Sequence, residues 1–131
     1  MLQLGAVLAG FGALVHVYVF VLESVLWRGP RARRTFGTTE EEARVTAALA
    51  LNQGFYNLFL AVEVVVGIVL LALGATVAGI TALLIGAGSM VGAGLVLVVS
   101  DRSKALAAAV QAVVPAIAVV LLVVAAASGT I

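Results

Sequence analysis

The chain has 131 residues, of which 64% are hydrophobic and 10% charged, and it contains no cysteine. A soluble domain this short has too much surface for its volume to bury so apolar a composition, so we expect an integral-membrane protein. The lack of cysteine excludes disulfides and zinc–thiolate sites, and the net charge of +1 is too small to predict nucleic-acid binding.

Four stretches of the chain are long and apolar enough to cross a bilayer, for which a helix needs about 20 residues. They cover about residues 2–27, 44–73, 77–99 and 105–127. The sequence therefore predicts an all-α, single-domain, four-helix bundle that spans the membrane.

A polar segment, residues 28–45, joins the first two predicted spans. Within it, Thr39 followed by Glu42 has the spacing of a capping box, in which each side chain bonds the backbone N–H of the other residue. Acidic residues here also suit the positive end of a helix dipole. We therefore expect a helix to begin at Thr39.

The basic residues lie in or beside the first and third connections between spans, whereas the short turn Gly74–Thr76 and both termini have none. They are Arg28, Arg31, Arg33, Arg34, Arg44, Arg102 and Lys104. By the positive-inside rule both connections are cytoplasmic, and both termini are expected on the non-cytoplasmic side. Trp27, beside Arg28, fits an anchor at the membrane interface.

Small residues at four-residue spacing predict close approach of helices. Gly5, Ala9 and Ala13 form such a row in the first span, and Gly88 and Gly92 form another in the third. We interpret both rows as packing contacts within one bundle.

Several hydrogen-bonding and ionisable side chains lie inside the predicted spans, where a polar group without a partner is costly. The aromatic Phe20 shares a helix face with two of them and is included in the set. The set comprises His16, Phe20 and Glu23 in the first span, Asn52, Gln53, Tyr56, Asn57 and Glu63 in the second, and Gln111 in the fourth. Such residues usually face a bundle interior or a cavity, so we expect a shared polar pocket, with Gly54 admitting another backbone or a ligand. The amides can instead serve as packing contacts between helices.

This set of residues suits a membrane protein that binds a lipophilic small molecule from the surrounding membrane lipid in an intramembrane polar pocket, and whether it also transforms that molecule stays open. His16, Glu23 and Glu63 are the candidate catalytic residues, because imidazole and carboxyl groups can carry protons. The candidate substrate-binding residues are Phe20, Asn52, Gln53, Tyr56, Asn57 and Gln111. Isomerisation or cyclisation of a terpenoid- or sterol-like lipid would fit. No metal or other cofactor is expected, because one histidine and no cysteine cannot supply the usual ligand sets.

Two other functions stay open. A small proton-coupled transporter of the four-helix multidrug type would use Glu23 as its coupling group, although Glu23 lies near one end of its span. A non-catalytic membrane subunit would use the same pocket to hold a ligand or another helix. A homodimer is compatible with each function, because four helices enclose little volume, and the sequence leaves the oligomeric state open.

Two strings, HVYVFVLESVLW (His16–Trp27) and NQGFYNLFLA (Asn52–Ala61), together with Gln111, resemble the small bacterial integral-membrane family catalogued as domain of unknown function 1304. The resemblance covers essentially the whole chain. It implies a multi-pass protein of the bacterial cytoplasmic membrane and supplies no reaction. Glu63 departs from the family pattern, in which an apolar or small residue is expected, so its role would be peculiar to this chain.

Overall fold

The computed structural model describes residues 1–129, and within that range no residue belongs to a β-strand. In chain order the helices are α1 (Leu2–Phe20), α2 (Pro30–Phe36), α3 (Glu40–Val45), α4 (Ala47–Ala72), α5 (Thr76–Ser100) and α6 (Ala105–Ala127). A π-helical turn, Val21–Val25, extends α1, and a 3₁₀ turn, Arg102–Lys104, precedes α6. The protein thus has four helices long and apolar enough to cross a membrane, as the sequence predicts.

The four long helices form a ring in which each packs on two neighbours: α1 on α4, α4 on α5, α5 on α6, and α6 back on α1. Neighbours run antiparallel. A Cβ at Gly5 would contact Leu122, for example, whereas one at Gly12 would contact Pro115. The centre of the ring is filled by small and medium-sized apolar side chains, including Ala9, Val64, Leu83, Met90 and Leu122.

Close packing through small residues is confirmed in α1 and corrected in α5. Gly5, Ala9 and Ala13 are buried, as expected. A Cβ at Gly88 or Gly92, in contrast, would meet no atom within 4 Å, so the prediction of close contact was wrong for this pair. The buried glycines of α5 are Gly79, Gly86 and Gly94. Sequence spacing identifies a row of small residues, but it does not show which face of the helix turns inward.

The predicted capping box is confirmed at the start of α3. Glu42 N–H donates to Thr39 Oγ1 at 3.2 Å, and Thr39 N–H donates to Glu42 Oε2 at 2.7 Å. At Thr46 the backbone leaves the helical region, with φ −96° and ψ 5°. The long helix α4 therefore begins at Ala47, three residues later than expected, and α3 forms a separate short helix.

The two basic connections lie at the same end of the bundle. Lys104 Nζ, before α6, donates to the backbone carbonyl of Phe36, at the end of α2, at 2.7 Å. The ring of Phe36 packs on Trp27 with a centroid distance of 5.3 Å. Arg31 Nε donates to Tyr18 Oη at 3.2 Å, which holds α2 against the end of α1. These contacts fold the polar segment over the ends of α1 and α4.

Candidate functional site

Glu23 lies at the centre of the π-helical turn that extends α1. The turn is closed by a hydrogen bond from Leu26 N–H to the carbonyl of Val21, five residues earlier, at 2.9 Å. A π-turn inserts one extra residue into a helix, changes the direction of the side chains there, and recurs at functional sites. In this chain the π-turn contains Glu23, the acidic residue that the sequence predicts as a site residue in the first span.

The Glu23 carboxylate is bound to α4 through one of its two oxygens. Asn57 Nδ2 donates to Glu23 Oε2 at 2.9 Å, and it also lies 3.1 Å from the backbone carbonyl of Gln53. Both side chains of this pair are half-buried. Glu23 Oε1 accepts no hydrogen bond from the described residues. One oxygen thus fixes the carboxylate, and the other is free to bind a ligand.

Gly54 lets the π-turn approach α4 closely. A Cβ at this position would overlap Ser24 Oγ and would lie 3.1 Å from Ser24 N and 3.2 Å from Glu23 Cβ. Ser24 Oγ also donates to the carbonyl of Leu51 at 3.3 Å. The expectation that Gly54 admits another backbone is confirmed, and the admitted backbone is the one that carries Glu23.

Two grooves adjoin the carboxylate, and Glu23 and Trp27 line both. The α1–α4 groove, of about 380 Å³, is lined by Glu23, Ser24, Val25, Leu26, Trp27, Arg28, Gly29, Ala47 and Leu51. The loop groove, of about 330 Å³, is lined by Glu23, Trp27, Thr38, Glu42, Thr46, Leu49, Ala50 and Gln53. Each groove is open to the surface of the bundle, and its walls combine apolar side chains with a few polar groups.

Two lining residues of the loop groove carry buried polar atoms that have no hydrogen-bond partner among the described residues. These atoms are Trp27 Nε1 and Thr38 Oγ1. A buried polar atom without a partner costs about 1–3 kcal/mol, so native proteins retain few of them. Both atoms would gain from a polar ligand group that reached them.

His16 lies deeper in the bundle than Glu23. Its side chain is 0% exposed, and Nδ1 bonds the carbonyl of Gly12, in the same helix, at 2.9 Å. Nε2 has no partner in the described part of the chain. The antiparallel contact of Gly12 with Pro115 puts Gln111, one turn before Pro115, at the level of His16. Gln111 itself is half-buried in α6.

The structure gathers Glu23, Gln53 and Asn57 at the grooves, whereas the other predicted side chains of α4 lie elsewhere. Asn52 and Tyr56 are on the outer face, where Tyr56 is 61% exposed. Phe20 packs edge-on against Phe55 of that helix, with centroids 5.3 Å apart.

Glu63 is half-buried between α4 and α5, on the opposite side of the bundle's midplane from the grooves. Its Cγ would lie 3.5 Å from a Cβ placed at Gly86 of α5. It follows Gly54 by nine residues, which is about 14 Å along the helix axis. Glu63 therefore does not share the grooves with Glu23.

Sequence reasoning missed the part that the polar segment plays in the loop groove. Trp27 was interpreted as an interfacial anchor and Glu42 as a helix cap, and Thr38 and Thr46 were not singled out. All of them line the groove together with Glu23. In the sequence, only their position in or near the first connection could have pointed to the site. Their contact with it depends on how α2 and α3 fold over the bundle.

Comparison with known proteins adds one match. A family model described as "Protein of unknown function (DUF1304)" matches residues 10–123, a range that contains every residue of both grooves. No curated protein and no solved structure matches the chain.

Proposed function

Since the chain belongs to the DUF1304 family of proteins of unknown function, we propose a function from the geometry of the site alone: it is a membrane protein that binds a lipophilic small molecule at Glu23. The ligand class is a largely apolar molecule, such as a terpenoid- or sterol-like lipid, that carries a hydroxyl group. Glu23, held in place by Asn57, accepts a hydrogen bond from this hydroxyl, and the apolar walls of the grooves hold the rest.

The observation that carries this proposal is the Glu23–Asn57 pair. Asn57 holds Glu23 Oε2 at 2.9 Å and leaves Oε1 without a partner among the described residues, at the junction of two grooves. A half-buried carboxylate is expensive unless its hydrogen-bonding capacity is used. A ligand hydroxyl that donates to Oε1 would use it, and the unpartnered N–H of Trp27 supports a ligand oxygen that also accepts.

Isomerisation or cyclisation of the bound molecule stays a prediction. It would require proton transfer at the ligand, and Glu23 is the only one of the three candidate carriers that lines the grooves described above. His16 is fully buried, and its Nδ1 is hydrogen-bonded within its own helix. Glu63 lies about 14 Å further along α4 than Gly54, where the π-turn contacts that helix. The geometry therefore favours recognition by Glu23 over acid–base catalysis by several side chains.

We further propose that the grooves lie at the cytoplasmic face of a bacterial membrane, with both termini on the other side. The positive-inside rule supports this orientation, because the basic residues adjoin two connections that contact each other through Lys104 and Phe36. A ligand would then enter from the inner leaflet.

Binding is tested by thermal unfolding of the purified protein in lipid nanodiscs. The probes are isoprenoid alcohols, the matching ketones, and hydrocarbons of the same length without oxygen. We expect the alcohols to raise the melting temperature of the wild type more than the matching ketones, which cannot donate to Glu23 Oε1, and the hydrocarbons to leave it unchanged, because only a ligand that binds the native state stabilises it.

The matched variants are Glu23→Ala and Glu40→Ala. Glu40 is an exposed carboxylate that pairs with Arg33 away from the grooves. Glu40→Ala should keep the ligand-dependent shift, and Glu23→Ala should lose it. Equal shifts in both variants, or a shift with the hydrocarbons as large as with the alcohols, would contradict the proposal.

A further inference from the structure

The outer face of α4 carries a regular row of exposed side chains at alternating spacings of four and three residues. We call this row the outer seam, and it consists of Ala48, Asn52, Phe55, Phe59, Val62, Val66 and Val69. All of its members are exposed at the bundle surface. This spacing is the seven-residue repeat of helices that pair side by side, with one polar residue, Asn52, in an otherwise apolar row.

Asn52 and its neighbour Tyr56 have side chains that make no hydrogen bond with any described residue. The hydrocarbon of a bilayer offers them no partner. The exposed face of α6 is different, because it carries only aliphatic side chains: Leu106, Val110, Val113, Ile117, Val120 and Val123. Lipid acyl chains can cover the aliphatic face of α6 without leaving a polar group unpaired. On α4 the same chains would leave the amide of Asn52 without a hydrogen-bond partner.

We propose that the outer seam binds the outer seam of a second copy of this chain, in a parallel two-fold pair of α4 helices in which the two Asn52 side chains face each other. The amide of Asn52 both donates and accepts hydrogen bonds, so it is complementary to itself across a two-fold axis. The one-sided distribution of basic residues orients every copy alike, so the two Asn52 side chains lie at the same depth. A single asparagine in an apolar seam fixes the register of such a pair.

The pair leaves the ligand grooves intact and does not depend on the proposed function. Leu51 lines the α1–α4 groove and Gln53 lines the loop groove, so the grooves lie on either side of the seam. The close contact of α4 with the π-turn, made at Gly54, is on the opposite side of the helix from Asn52. The seam residue Phe55 also packs on a phenylalanine ring of α1, and this contact lies at the edge of the seam. Dimerisation therefore leaves the contact at Gly54 in place.

Cysteine cross-linking in native membranes tests the pair directly, because the chain has no cysteine of its own. Ala48→Cys and Val62→Cys place a thiol on the seam and leave Asn52 in place. Their controls are Leu106→Cys and Val120→Cys on α6, which lie at the same distances from the start of their helix. On mild oxidation we expect disulfide-linked dimers from both α4 variants and none above background from the α6 variants.

A second substitution distinguishes specific pairing of two copies through α4 from cross-linking by random collision in the membrane. Asn52→Leu, added to Val62→Cys, should weaken association about tenfold, which corresponds to about 1.4 kcal/mol and to the range of hydrogen bonds between membrane helices. Equal cross-linking from α4 and α6, no cross-linking from α4, or unchanged cross-linking after Asn52→Leu would each overturn the proposal. Ligand-dependent melting shifts would be unaffected by those outcomes.

Discussion

Glu23 and Trp27 define the site at the scale of single residues, because both line the two grooves and both keep unused hydrogen-bonding capacity. Glu23 has a free Oε1, and Trp27 has a buried Nε1 without a partner among the described residues. The indole is held in place by Phe36, with ring centroids 5.3 Å apart. Under the proposed function, Glu23 Oε1 would accept a hydrogen bond from the ligand, and Trp27 Nε1 would donate one if the ligand reached it.

Trp27→Phe separates the role of the indole N–H in binding from the role of the ring in packing. The phenyl ring keeps an apolar contact with Phe36 and removes a buried donor that has no partner among the described residues, so the free protein should lose little stability, because the removed unpaired donor offsets part of the packing lost with the larger ring. Ligand affinity should fall about tenfold, the effect of one hydrogen bond of about 1.4 kcal/mol. Melting curves with and without the alcohol probes measure both quantities. A large loss of stability without ligand would show that the N–H has a structural partner.

Short elements at one end of the bundle shape the grooves. The π-turn supplies Glu23, α4 supplies Gln53 and Asn57, and the capping box of α3 holds the segment that supplies Thr38 and Glu42. Because α3 has only six residues, its cap and its packing decide whether it forms. The wall of the loop groove that Thr38 and Glu42 form therefore depends on the local interactions that hold α3.

The capping box should make the order of α3 depend on pH. The backbone N–H of Thr39, and then its hydroxyl, hold the pKa of Glu42 below its ordinary value. The cap's contribution is therefore fully present above the ordinary glutamate pKa, about 4.3, and is lost as the pH falls through the lower folded value. Hydrogen exchange of the α3 amides measures this loss.

Glu42→Gln is the control for that measurement, because glutamine can complete the same box without titrating. Comparing the two proteins at each pH removes the intrinsic pH dependence of exchange. Wild-type protection should fall relative to the variant below about pH 4.3. Identical profiles would show that the carboxylate does not hold the cap.

Gly54→Ala tests whether the close approach of the π-turn to α4 is essential. The added methyl group would overlap Ser24 Oγ and crowd the backbone of Ser24 at 3.1 Å, so unfolding in detergent should become easier by about 1–3 kcal/mol. Gly88→Ala meets nothing within 4 Å and should be neutral or stabilising by up to about 1 kcal/mol, through helix propensity. The reverse order of stabilities would contradict the packing described for α1 and α4.

The sequence predicted where the helices lie along the chain better than it predicted which face of each helix points into the bundle. Apolar length alone predicts the four spans, and Thr39 with Glu42 predicts the start of α3. Spacing within α4, however, grouped Asn52 with Tyr56 without showing that their shared face is the outer one. In a span that is apolar all round, inward and outward faces look alike, and the π-turn at Glu23 has no local signature.

At the scale of the whole molecule, the end of the bundle that carries the grooves also carries the basic connections. The opposite end has the uncharged turn between α4 and α5, the start of α1 and the end of α6. A protein built in this way is expected to hold one orientation in the membrane. We therefore expect the grooves to open on the cytoplasmic side.

Single cysteines test this orientation. Thr35→Cys in α2 and Ala75→Cys in the α4–α5 turn both place a thiol at an exposed position. In intact cells a membrane-impermeant maleimide should label Ala75→Cys and should label Thr35→Cys only after the membrane is permeabilised. Labelling of Thr35→Cys from outside would reverse the orientation, and equal labelling of both variants would show that the chain inserts both ways.

Photolabelling is the most direct test of a ligand site at Glu23. An isoprenoid alcohol that carries a diazirine is added to the protein in nanodiscs and activated by light, and the modified peptides are identified by mass spectrometry. We expect labels in residues 23–29 and 47–53, which line the grooves, and we expect them to be competed by unlabelled alcohol and lost in Glu23→Ala. Labels spread over the outer faces of α5 and α6, equal in wild type and Glu23→Ala, would contradict a ligand site at Glu23.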